Sequence, residues 1–265
     1  RSENVNSFQE YVNEYRNTVA HNDNLWKRIN DLTDGIPYLK EHRDWVEKFQ
    51  WGFGDRAFHY MWHILLSQDI LLRTNPCLLE IGVYKGQIIS LWSLIATHIG
   101  SRPDIYAITP LAGNPVLPRY FNRAMQFLSK KYREDVRSGN TYQNDDYLNC
   151  IKRIYGEFNI SVSDTNIIKG YSQDLNVQNE VDGLKFDLIY IDGGHRYDEV
   201  VRDMELYGEK VHKGGYLVFD DASYYEPGTM FFKGHESVSR AVNEIDKAKF
   251  SNVLNIGHNR VFKRI

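Results

Sequence analysis

The chain has 265 residues, of which 42% are hydrophobic and 25% charged, with 32 Lys+Arg against 35 Asp+Glu for a formal net charge of −3. This is the composition of one α/β domain with a helical extension, or of two small domains, and it excludes a disordered, collagen-like or disulfide-scaffold chain. It supplies no overall basic footprint for nucleic acid, and no apolar run reaches the ~18 residues of a membrane span.

The opening residues RSENVNSFQEYVNEYRN are polar and hold no signal-peptide core, so a cytoplasmic protein is expected. Phe8, Tyr11, Val12 and Tyr15 recur at helical spacing. A second helix is expected over 38–49 and, after a Gly-rich break at 51–55, a third carrying Phe58, Met61, Trp62, Leu65 and Leu66. Residues 1–75 therefore read as a helical N-terminal extension or lid. At Asn75-Pro76 the pattern changes. Residues 77–82, CLLEIG, predict a short strand and 87–99 a helix. A strand at 104–108, a loop at 112–118 and a helix at 120–132 follow. A polar turn is expected at 139–146, then a helix at 147–158 and strands at 165–169 and 185–191. The helix predicted over 197–211 is closed by Lys213-Gly214-Gly215, before a strand at 216–219 and a helix at 237–247. The segments 252–256 and 260–263 read as a closing antiparallel pair joined through Gly257. Alternating strands and helices predict an α/β fold with a doubly wound, mainly parallel sheet and ligands at the carboxyl ends of the strands. Cys77 and Cys150 form no CxxC motif and read as small buried residues in a reducing compartment, which nearly excludes a cysteine-bound zinc.

Three constellations end predicted strands. In the first, Glu80 precedes Gly82, and Gly86 opens a helix. Glycines there permit a sharp turn and close approach of a ligand. It is neither a dinucleotide fingerprint nor a phosphate loop. In the second, Asp192-Gly-Gly-His195 follows KFDLIYI; in the third, Asp220-Asp221 follows YLVF. Asp192, Asp220 and Asp221 project from the same end of the sheet. Converging acids raise one another's pKa unless a cation joins them. Carboxylates with substrate oxygens suit a hard divalent ion such as Mg²⁺, Ca²⁺ or Mn²⁺. His195 reads as a general base or as a cap on the next helix.

The stretches EIGVYKG and KFDLIYIDGGHRYDEVVRDMELYGEKVHKGGYLVFDDAS strongly resemble class I S-adenosylmethionine (SAM)-dependent methyltransferases. Within that class the resemblance is to the metal-dependent O-methyltransferases of macrolide sugars and other natural products. It covers residues 76–265, which it marks as a Rossmann-like methyltransferase domain. It implies that Glu80, Gly82 and Gly86 lie along the methionine and ribose of SAM. It also implies that Ser172 or Gln173 approaches the adenine and that Asp192 closes the cofactor site. Asp192, Asp220 and Asp221 match the family's metal-binding acids, with Mg²⁺ as the expected ion, and His195 matches its base. The family holds the ribose hydroxyls with an acid at the end of the second strand. Here Thr109 stands there, and a hydroxyl offers no charged bidentate grip.

The expectation is therefore a SAM- and divalent-metal-dependent O-methyltransferase acting on a hydroxyl of a small molecule, a sugar or a polyketide or peptide natural product. The alternatives are a methyltransferase-fold binding module of low activity and a metal-independent N-methyltransferase. No nucleic-acid or membrane partner is expected. The aromatic-rich N-terminal helices, with Trp26, Trp45, Trp51 and Trp62, suit a lid or a homo-oligomer contact.

Overall fold

The structure is a computed structural model and describes residues 7–265, so the first six residues of the predicted extension lie outside the described residues. In chain order the elements are α1 (Phe8–Glu14), α2 (Val19–Thr33), α3 (Pro37–Phe49), α4 (Ala57–Gln68), β1 (Cys77–Ile81), α5 (Gln87–Ile99) and β2 (Asp104–Thr109). They continue with α6 (Arg119–Leu128), α7 (Lys130–Arg137), α8 (Tyr147–Glu157), β3 (Thr165–Lys169), α9 (Leu175–Glu180), β4 (Phe186–Ile191) and α10 (Tyr197–Gly208). The last are β5 (Val211–Phe219), α11 (Glu236–Val242), β6 (Phe250–Ile256) and β7 (Asn259–Arg264).

The strands form one seven-stranded sheet in the order β3-β2-β1-β4-β5-β7-β6. The first five run parallel, while β7 pairs antiparallel with both β5 and β6. This is the expected doubly wound sheet with its closing antiparallel pair. The order in which strands are added reverses between β1 and β4, the place where such sheets form a crevice at their carboxyl ends. Every residue of β4 is buried, as expected of a central parallel strand covered on both faces.

Alternation along the strands sorts two apolar clusters. Leu78, Leu188, Tyr190, Tyr216 and Val218 face one side, together with α1 to α5 and α8. Leu79, Ile189, Ile191, Leu217 and Phe219 face the other, with residues of α9, α10 and α11. The N-terminal helices are thus one of the two covering layers. Trp62 of α4 has no exposed surface and packs its ring 5.2 Å from Trp92 and 4.9 Å from Tyr190. Arg73 bonds Asp187 and the Gly214 carbonyl, and Asp187 also accepts the amide of Cys77 at 3.0 Å. These bonds fasten the end of the helical layer to the start of the sheet.

Some boundaries differ from the predicted ones. The helix expected over 120–132 divides at Ser129, whose extended backbone starts α7 and whose hydroxyl accepts the amide of Tyr132. The helix expected to reach residue 211 ends at Gly208, because Val211 already pairs with Phe186 and the Lys213-Gly214-Gly215 segment belongs to β5. Helix α2 is polar, with only Asn22, Leu25, Ile29 and Thr33 buried, and its weak apolar stripe was not read from the sequence. Among the described residues, no helix is long and apolar enough to cross a membrane.

The helical layer also buries a polar chain. Nδ1 of His42 lies 2.9 Å from Nε2 of His59, and Nε2 of His42 lies 3.0 Å from the Ser90 hydroxyl. Burial, then Arg43, pushes the His42 pKa down to about 3. Burial, then His42, pushes that of His59 well below its ordinary value.

Two outcomes follow. Trp62→Ala should lower the urea unfolding free energy by about 3–5 kcal/mol, and the unfolding should stay a single transition if the N-terminal layer is inseparable from the sheet. Below pH 6.5 the unfolded chain takes up protons at His42 and His59 that the native layer excludes, so their contribution is complete above pH 6.5 and lost as the pH falls toward 3. Between pH 7 and 4.5 the wild type should lose roughly 2–5 kcal/mol that a His42→Leu/His59→Leu double variant keeps. An equal slope in both proteins would show that these histidines titrate normally.

Candidate active site

Parallel pairing in register aligns the ends of β1, β4 and β5. The amide of Asp192 donates to the Ile81 carbonyl at 2.8 Å, and that of Asp220 to the Ile191 carbonyl at 3.1 Å. Asp192 and Asp220 therefore leave adjacent strands side by side. Asp221 has φ +54, a left-handed conformation uncommon outside glycine but tolerated by Asp. Consecutive residues in extended backbone point to opposite faces. The left-handed turn breaks that alternation, and both carboxylates join one cluster.

The cluster is electrostatically strained. Burial first, then Asp220 and Asp221, raises the Asp192 pKa well above the carboxylate range. Burial and Asp220 push Asp221 up to about 6. Burial also opposes the charge of Asp220, but His258 holds its carboxyl below the usual value. Nε2 of His258 lies 3.1 Å from Oδ1 of Asp220 and 3.7 Å from Oδ1 of Asp221. Although burial disfavours an imidazolium, these carboxylates push the His258 pKa up to about 9. The 3.1 Å contact lacks hydrogen-bond alignment, and Oδ1 of Asp220 is buried with no hydrogen-bond partner. One donor atom from each of Asp220, Asp221 and His258 lies within 4.8 Å of the others, a set that does not include Asp192; the crowding of Asp220 and Asp221, with Asp192 on the adjacent strand, fits a divalent cation.

His195 is 9% exposed. Its Nδ1 lies 2.9 Å from the Ser138 carbonyl, so Nδ1 carries the proton and Nε2 faces Oδ2 of Asp221 at 3.3 Å. Burial keeps its pKa below the ordinary value. A neutral ring with its lone pair on Nε2 can accept a proton. The ring stacks on His235 at 4.4 Å.

The residues expected along a cofactor are placed unevenly. Glu80 is 1% exposed, and burial raises its pKa well above normal, while the amide of Ile89 in the first turn of α5 favours its charge. It is an enclosed floor beneath the β1–α5 turn, with Oε2 unpartnered. At Gly82, φ is +91 and a Cβ would lie 1.9 Å from the Asp192 carbonyl oxygen. The missing side chain therefore admits the neighbouring backbone, not directly a ligand as the motif suggested. Gly86, at φ +89, precedes α5. The Thr109 hydroxyl accepts the amide of Leu111 at 3.2 Å and is committed to its own turn. Ser172 and Gln173 follow β3, but their side chains bond Asp203 on α10, at 2.6 and 3.3 Å, and are not brought to the acid cluster. An adenine there would meet polar groups that already have partners.

Three residues at the cluster were not singled out from the sequence. His258 sits in the β6–β7 turn, and its backbone carbonyl accepts the amide of Ala222 at 2.8 Å. His235 precedes α11, and its amide donates to the Asp221 carbonyl at 3.0 Å. That approach needs Gly234, where φ is +84 and a Cβ would lie 2.1 Å from the same oxygen. Tyr142 belongs to a short bridge with Asn114, and burial together with Asp192, Asp221 and Asp220 raises its phenol pKa. The one local signal was a histidine beside a glycine, in Gly234-His235 and Gly257-His258.

Comparison with known proteins places the chain. A methyltransferase-domain family matches residues 79–222, just over half of the chain. An uncharacterized protein, R132 of Acanthamoeba polyphaga mimivirus, is 37% identical over 105 residues, covering 38% of this chain and 45% of that protein. The chain thus spans less than half the length of this relative. Among solved structures, a putative caffeoyl-CoA O-methyltransferase from Staphylococcus aureus superposes with a TM-score of 0.55 at 14% identity, over 87% of this chain and 97% of that one. CalS11, a TDP-rhamnose 3′-O-methyltransferase of calicheamicin biosynthesis, gives 0.51 at 12% identity, over 97% and 99%. At such identities the superpositions establish the fold, and the family match spans the β1 turn, the Asp192 turn and the Asp220-Asp221 pair that build the cluster: this chain belongs to the methyltransferase-domain family.

Proposed function

We propose that the protein is a SAM-dependent O-methyltransferase that uses a divalent cation and acts on a hydroxyl of a small molecule, a sugar or related natural product. The observation that carries this reading is the grouping of Asp192, Asp220 and Asp221 at the carboxyl ends of β4 and β5, beside the β1–α5 turn, with Nε2 of His195 3.3 Å from Oδ2 of Asp221. The sugar-modifying activity named for CalS11 and the O-methyltransferase activity named for the Staphylococcus aureus protein support the choice of oxygen as acceptor.

Asp192, Asp220 and Asp221 would hold the cation, whose chemistry is to lower the pKa of a bound hydroxyl and fix its position. SAM would lie over the β1–α5 turn and the ends of β2 and β3, and supplies an electrophilic methyl. That methyl would pass to the acceptor oxygen with its sulfur as the leaving group, and Nε2 of His195 would take the hydroxyl proton. The Ser138 carbonyl fixes the ring so that this nitrogen, and not Nδ1, faces the cluster. Asp221 steadies the imidazolium that results. His258, already cationic, offsets part of the acids' charge without taking a proton.

Chelation should abolish methyl transfer and added Mg²⁺ should restore it. Asp221→Asn, which tolerates the left-handed backbone, should weaken Mg²⁺ binding at least about tenfold and leave SAM affinity by calorimetry within about threefold. Full turnover after exhaustive chelation would remove the cation from the reaction. His195→Ala should lower kcat about 10²–10⁴-fold while SAM and metal still bind. Because burial holds the His195 pKa below the ordinary imidazole value, the fall of the wild-type rate on acidification should set in at a lower pH than an ordinary imidazole base would give. A His195→Ala enzyme within about threefold of wild type would reduce this residue to a structural role.

A further inference from the structure

The two oxygens of Asp221 face different surroundings. Oδ1 faces His258, whereas Oδ2 faces Nε2 of His195 at 3.3 Å and Nε2 of His235 at 3.7 Å. One donor atom from each of His195, Asp221 and His235 lies within 4.8 Å of the others. Donors held about 2.0–2.1 Å from a tetrahedral ion stand about 3.4 Å apart, close to the 3.3 and 3.7 Å between Oδ2 of Asp221 and the two ring nitrogens. Neither contact is aligned as a hydrogen bond.

The hydrogen bonding of His195 sharpens the point. With its Nδ1 proton given to Ser138, Nε2 turns a lone pair toward a carboxylate oxygen, acceptor against acceptor. His235 brings a second ring nitrogen to the same oxygen, and the two rings stack 4.4 Å apart at 25°. Protonating both rings would set two cations face to face. A metal ion satisfies all three lone pairs at once. An Nδ1–H bound to a backbone carbonyl is also the usual support of a metal-ligating histidine. Access exists as well, since His235 lines a cavity of about 570 Å³ together with Arg137, Ser138, Arg196 and Arg240.

We propose that His195, His235 and Asp221 form a second cation site, distinct from the three-acid site and selective for a late first-row transition ion such as Zn²⁺, whose occupancy withdraws Nε2 of His195 from proton transfer. Two imidazoles with one carboxylate prefer such ions to Mg²⁺, which takes oxygen donors. Asp221 serves both sites, one oxygen to each. The site rests on geometry alone. Its inhibitory effect rests on the reading of His195 as the base.

The test is a Co²⁺ titration of the full chain in excess Mg²⁺, followed by visible absorption. One equivalent of Co²⁺ should give the intense bands of a low-coordinate ion. His235→Ala should remove the bands and weaken Co²⁺ binding about 100-fold or more, with circular dichroism confirming the fold, and His235→Gln should behave alike. Asp192→Asn, on the other side of the cluster, should leave the bands in place. Zn²⁺ should displace Co²⁺ and slow methyl transfer in the wild type. Unchanged Co²⁺ bands and affinity in both His235 variants would overturn the site, as would a wild-type spectrum of weak octahedral type that Mg²⁺ erases. Bands that respond to His235 while Zn²⁺ leaves the rate untouched would uphold the site and overturn the inhibition, and with it the role of His195 as base.

Discussion

Asp192, Asp220 and Asp221 are crowded into the ends of two adjacent strands, and their burial together with their mutual repulsion is the constraint around which the carboxyl edge of the sheet is built. Like charges in a buried site push their pKa values apart. Here Asp192 moves far upward, while Asp220 stays ionised beside the imidazolium of His258. That ion pair depends on the antiparallel hairpin added to the parallel sheet. Strand β7 pairs with β5, and the β6–β7 turn thereby brings His258 over the acids. Phe58 of α4 packs edge-on against the His258 ring at 4.7 Å, and Nδ1 of the same ring lies 3.1 Å from the Phe232 carbonyl. The cationic partner is therefore fixed from three directions before any ion binds.

The N-terminal helices have a part in the same arrangement. They cover one face of the sheet and share its apolar cluster. Trp26 of α2 bonds Asp55 and lies 5.8 Å from Phe231 in the loop that follows Asp221. Asn22 donates to Glu226 in that loop at 2.6 Å. The helical layer thus supports both the His258 turn and the loop leading to His235. A change in α2 or α4 reaches the acid cluster through packing, without touching a ligand.

The cofactor side is built differently. The β1–α5 turn is shaped by backbone approach, since Gly82 admits the Asp192 carbonyl, and Oε2 of Glu80 beneath it is unpartnered, whereas Thr109 and Ser172 beyond β2 and β3 are already engaged. Thr109 holds its own turn, and Ser172 and Gln173 hold Asp203 in place.

The sequence by itself determined the sheet and its acid edge. Buried parallel strands are short apolar runs, and an acid just after such a run lies at the carboxyl end of the strand, so KFDLIYID and YLVFDD located Asp192, Asp220 and Asp221 from local pattern alone. His195 was legible for the same reason, three residues beyond Asp192 in the same turn. Only the tertiary structure brought in His258, His235 and Tyr142, which arrive from a hairpin turn, a loop and an isolated bridge. No periodicity marks a residue whose partner is distant in the chain. The same limit applies to Thr109, Ser172 and Gln173, whose positions at strand ends were evident but whose hydrogen bonds were not. Polar helix α2 went unread because its buried stripe is narrow, and its place was settled by packing on α4 and β6. The strands and the acids that end them follow from local sequence; the strand order, the left-handed turn at Asp221 and the neutral and cationic groups around the acids follow from how distant segments pack.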